Sequence, residues 1–184
     1  MRLTSYAAAT MIAGSVLLAG CGGRSPYYAP ASTASSPRHP APPKAVARAM
    51  SPAAYVAAAG AIDLYEIQAS ELALQRASMQ RTRDFAQTMI RDHKGTSSQL
   101  SLAGRRLNLL PSAMLDARHQ AMIDQLSSAS DFDATYKRQQ VNVIGDALAL
   151  HSAYASRGTS PTLRPVAVAT LPVIQRHQRL LRYL

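Results

Sequence analysis

From residue 51 to the C-terminus, apolar residues recur at helical spacing, and no run shows the sustained two-residue alternation of a half-buried strand. A chain patterned this way is restricted to packed helices. Ser51-Pro52 supplies a capping hydroxyl and a proline at the first helical position, and no breaker follows until about Ser78. After a short turn at 79–81, a second helix fits residues 82–107, with an apolar stripe of Phe85, Met89, Leu100, Ala103 and Leu107. Leu109-Leu110-Pro111 breaks that pattern. A shorter helix at 112–127 crosses to a second hairpin of helices at 131–156 and 160–182, turning at Gly158 and Ser160-Pro161. Four long helices, two short turns and one longer crossing predict a four-helix bundle with an additional short helix.

Composition divides the chain near Ser51. The first 50 residues contain no Asp or Glu and six of the 11 prolines, whereas all ten carboxylates fall between Asp63 and Asp146. The 134 residues from Ser51 onward suffice for one domain, and with two Phe and no Trp their core is expected to be mostly aliphatic. The net charge of +10 becomes +5 in this part, with 15 Lys and Arg against 10 acids. The excess gathers after Asp146, and Arg176, Arg179 and Arg182 on the last helix form a candidate surface for an anionic head group or an acidic partner. No nucleic-acid motif accompanies it, so nucleic acid is not an expected partner.

Arg2 precedes a 13-residue stretch of small and apolar residues from Ala7 to Ala19, a length that suits a signal peptide and falls short of the ~20 needed to span a membrane. It ends Leu18-Ala19-Gly20-Cys21, which resembles the lipobox of bacterial lipoproteins. The resemblance implies cleavage before Cys21 and acylation of that cysteine, the only one in the chain, so that no thiol remains for catalysis, disulfides or metal. Gly22 in place of Asp implies the outer membrane, facing the periplasm. Residues 21–50, rich in Pro, Ala and Ser, then form a disordered tether between the lipidated end and the domain at 51–184.

Phe85-Ala86-Gln87-Thr88-Met89-Ile90-Arg91-Asp92-His93, Leu109-Leu110-Pro111, Phe132-Asp133-x-x-Tyr136 and Thr170-Leu171-Pro172 with His177 beyond resemble, in order, the bacterial family DUF4142. The resemblance implies a ferritin-like fold and carries no agreed biochemical role. In that family a histidine is usual eight residues after the tyrosine; this chain has Ile144.

Helical spacing also selects a candidate site. Glu66 shares a face with Ile62, Ala69 and Ala73; His93 lies in the stripe of Met89, Thr96 and Leu100; His177 lines up with Thr170, Ile174 and Leu181. Glu66 and His93 are each about 13 residues from the first turn, which places them at one height. One carboxylate and two imidazoles converging in a bundle suit a transition metal such as zinc, iron or copper, with Met89 and Tyr136 as supporting groups. The competing structural expectation is a buried Glu66–His93 hydrogen-bonded pair with His177 as a core histidine. A ferritin-like di-iron centre would need Glu-x-x-His on two helices, but Ile90 and Ile174 stand three residues before the histidines. His151 lies about 10 Å further along its helix, and His39 and His119 suggest nothing. No Gly-rich phosphate loop, His-Glu-x-x-His or Gly-x-Ser-x-Gly is present. These patterns favour a non-catalytic envelope protein that binds a partner or surface, with metal binding or metal-dependent redox chemistry as the alternative.

Overall fold

The computed structural model describes residues 49–184; the expected signal peptide, Cys21 and most of the expected tether lie outside the described residues. Residues 45–184 make one compact unit. Among the described residues there are five α-helices and one 3-10 turn, and no strand: α1 (Pro52–Arg76), α2 (Gln80–Arg105), α3 (Ala117–Ser128), α4 (Phe132–Arg157), α5 (Arg164–Leu180) and the turn Leu181–Tyr183. The all-α expectation holds, with α3 as the additional short helix. No helix among them is long and apolar enough to cross a membrane.

Cap chemistry moved two boundaries. α3 begins at Ala117 rather than 112, because the Ser112 hydroxyl closes a turn with Met114 and Asp116 supplies the cap, accepting from the His119 amide. α5 begins at Arg164 rather than 160, because the Ser160 hydroxyl accepts from the Leu163 amide in a preceding turn. Ser51 caps α1 as its sequence implies, accepting from the Ala54 amide at 3.2 Å.

The long helices pack α1 on α2, α4 on α5, α1 on α4 and α2 on α5. Four buried bonds fix the α1–α4 register: Tyr55 to His151, Tyr65 to Gln139, Glu66 to Gln140 and Ser70 to Tyr136. Residue numbers rise on one helix as they fall on the other, so the pair is antiparallel. The long connection through α3 carries the chain back along the bundle between its hairpins.

Phe132-Asp133-x-x-Tyr136 proves architectural. Asp133 accepts from the Ser78 amide at 2.9 Å and hydroxyl at 2.7 Å, tying α4 to the α1–α2 turn where the Met79 cap position of α2 offers no side-chain bond. Phe132 lies under the Arg76 guanidinium, 5.2 Å from it, while Arg76 donates to the carbonyls of Leu126 in the last turn of α3 and of Ala129 just beyond it. Tyr136 bonds to Ser70 at 2.8 Å and packs near Phe85.

Two apolar clusters fill the bundle. One surrounds Met89, Leu126, Ile144 and Ile174 toward the α1–α2 turn, and the other surrounds Val56, Leu100, Leu163 and Ala167 at the opposite end. The core is less aliphatic than composition predicts. Tyr55, Tyr65, Tyr136 and Tyr154 are its largest fully buried side chains, with the hydroxyls of the first three bonded to His151, Gln139 and Ser70.

Candidate metal site

Glu66, His93 and His177 are all buried, each at most 1% exposed. α1, α2 and α5 bring them to the polar level of the bundle, and the imidazole centroids of His93 and His177 lie 5.2 Å apart, tilted by 38°. Their hydrogen bonds differ from expectation. His93 pairs with Asp63 rather than Glu66: its Nδ1 donates to Oδ1 at 2.8 Å, and Thr96 Oγ1 donates to the same oxygen at 2.8 Å. Glu66 instead accepts from Gln140 Nε2 at 2.5 Å. His177 Nε2 donates to Asp92 Oδ2 at 2.8 Å, an oxygen shared with Arg176.

Each imidazole thus spends one N–H on a carboxylate, and the other nitrogen carries a lone pair whenever the ring is neutral, which for His93 requires loss of the proton that Asp63 favours. His93 Nε2 and His177 Nδ1 are buried without a partner, as is Glu66 Oε1. Such orphans are rare among buried polar atoms and invite explanation. A carboxylate behind a histidine is also how proteins orient metal-ligating imidazoles.

The electrostatics agree with this pairing. Burial pushes the Glu66 carboxyl up to about 7, only partly opposed by the charge of His93 and the Gln140 bond. Burial alone would lower His93, but the bond and charge of Asp63, with Glu66 and Asp92 nearby, hold it above its ordinary value. Burial and the neighbouring His93 drive His177 down to about 4 despite Asp92. His177 is therefore neutral at pH 7, as a ligand must be.

The fit to a metal is partial. Two imidazoles on one tetrahedral ion have centroids about 5 Å apart, given metal–nitrogen bonds near 2 Å, and the observed separation matches. Among the described residues, however, no group of three His, Asp or Glu side chains is already arranged to hold an ion. The free Oε1 of Glu66 is the carboxylate oxygen available to complete a set. Met89, fully buried one turn before His93, is a nearby soft donor. Tyr136 directs its hydroxyl to Ser70. Ile144 is 1% exposed in the apolar cluster and offers no donor where the resembled family has histidine.

Sequence reasoning missed Asp63, Asp92, Thr96 and Gln140. Asp63 is one turn before Glu66, and Asp92 is adjacent to His93, so both were visible as neighbours of chosen residues. His119 also proved more than incidental: it is buried against Tyr65, with Asp116 2.7 Å from its Nδ1. Its Nε2 has no partner. His151 belongs to a separate pair, its Nδ1 3.0 Å from the Tyr55 hydroxyl.

Residues 36–184 match the family described as Domain of unknown function (DUF4142). The chain belongs to the DUF4142 family. The match extends across the whole DUF4142 bundle, including both carboxylate–histidine pairs. No curated protein matches the chain. Among solved structures, "CopM in the Cu(II)-bound form" superposes with a TM-score of 0.64 at 17% identity, covering 74% of this chain and 96% of that one. At that identity the likeness shows that the DUF4142 domain shares the helical fold of CopM.

Proposed function

We propose that this DUF4142 domain binds a late first-row transition-metal ion, of the copper and zinc class, between His93 and His177, with Glu66 as a third donor. The observation that carries the reading is the pair of carboxylate–histidine units, Asp63–His93 fully buried and Asp92–His177 with a buried imidazole and a part-buried carboxylate, each leaving an unpartnered ring nitrogen. Two imidazoles with one carboxylate suit zinc or copper, and Met89 would add a soft donor for copper. The copper-bound state of the similarly folded CopM accords with this class. Di-iron chemistry finds less support, since the carboxylates needed to bridge two ions are lacking.

In this reading the domain is non-catalytic, acylated at Cys21 and held at the outer membrane facing the periplasm. The rival function is contact with an envelope partner or anionic surface through Arg176, Arg179 and Arg182. It draws less support, because Arg176 is engaged with Asp92.

Metal analysis of an untagged 45–184 fragment, purified without chelators and then offered copper or zinc, tests the proposal. The expected result is about one equivalent bound, lost in a His93→Ala, His177→Ala double variant. Wild-type protein that takes up neither ion, or a double variant that binds as well, would overturn it.

A further inference from the structure

We propose that the α2–α5 face at the end of the bundle where the chain enters α1 is a docking surface for an anionic lipid bilayer. Charge segregation points to it. Stretches 51–62, 97–115 and 147–184 contain no Asp or Glu, and the first two, with the end of α4 and the start of α5, build this end of the domain. Arg105, Arg106, Arg157 and Arg164 are exposed here, and none makes an ion pair among the described residues. Several cations elsewhere are paired, Lys94 3.5 Å from Glu71, Arg118 2.7 Å from Asp146 and Arg176 with Asp92, and all ten acids lie outside the stretches that build this end.

Between these arginines lies exposed apolar surface. Leu102 is 62% exposed on α2 and Val168 55% exposed on α5. Two adjoining grooves connect them, sharing Pro165 and Ala169, with Arg106 bordering one and Arg164 the other. An apolar strip bordered by arginines inserts at the head-group boundary while its cations meet lipid phosphates. An acidic protein could satisfy the charge. The bilayer is favoured because Ser51 enters α1 at this end, 30 residues after the Cys21 that the lipobox marks for acylation. A lipid on that cysteine would keep the domain close to the membrane and leave its orientation to this face. One weak contact would then reinforce another.

Co-sedimentation of the 45–184 fragment, which contains the whole helical unit, tests this without any acyl chain. Vesicles of phosphatidylcholine with phosphatidylglycerol are compared with phosphatidylcholine alone. Binding to the anionic vesicles only is expected, falling about fivefold for each arginine of the face changed to glutamine, and falling again in Leu102→Ser, Val168→Ser. Arg179→Gln, Arg182→Gln, at the opposite end, should bind as wild type. Circular dichroism confirms that each variant is helical. Failure to bind anionic vesicles would overturn the proposal, as would equal losses from the Arg179, Arg182 pair. Either result is independent of metal content.

Discussion

Asp63 Oδ1 lies 2.8 Å from His93 Nδ1 across α1 and α2, and this bond leaves His93 Nε2 as the unpartnered ring nitrogen inside the bundle. The carboxylate fixes the imidazole tautomer and its direction. Asp63→Asn keeps the shape and a hydrogen-bond acceptor but removes the charge. It is expected to weaken copper or zinc affinity about 10- to 100-fold, the usual cost of losing such a partner, while leaving helicity unchanged. Titration with a competing chelator measures the effect. Equal affinities would reduce Asp63 to a packing role.

Asp133 links stability to pH. Burial would raise its carboxyl, but bonds from Thr82, Ser78 and Met79 hold it below the usual carboxylate range. Because its folded value is depressed, its contribution is present above the unfolded value of about 3.9 and is lost as pH falls through the folded value. Asp133→Ala should cost about 1 kcal/mol at neutral pH, as for a lost helix cap, and much less near pH 2. Urea unfolding at the two pH values would show the difference narrowing. A cost that does not change with pH would assign the effect to packing alone.

Two glycines in long helices should respond with opposite sign. A Cβ on Gly60 would lie 2.4 Å from Pro111 Cβ, so α1 meets the segment after α2 too closely for any side chain. Gly60→Ala is expected to destabilise by about 1–3 kcal/mol through overpacking. Gly95, with nothing within 4 Å of the added Cβ, gains helix propensity instead, and Gly95→Ala should stabilise by about 0.5–1 kcal/mol. Thermal unfolding of both variants checks the pair.

Much of this architecture is legible in the residues. Ser51-Pro52 opened α1 where expected, the two hairpins turned where their Met79 and Gly158 segments indicated, and the faces of Glu66, His93 and His177 all pointed inward. The partners of those groups were not legible. Helical periodicity assigns a side chain to a face but leaves its height relative to a neighbouring helix uncertain by about a turn, or ~5 Å. That is the spacing between Asp63 and Glu66, so the choice of Asp63 as the acceptor of His93 waited on the packed hairpin.

The sequence by itself determined an all-α bundle, its breaks and the inward faces, because spacing and cap chemistry are local. Only the tertiary structure decided that Asp92 backs His177, that Gln140 occupies Glu66, and that Asp133 caps the distant α1–α2 turn. Each of those contacts joins residues more than 50 positions apart, where the offset between helices is set by how their side chains interdigitate rather than by any local pattern.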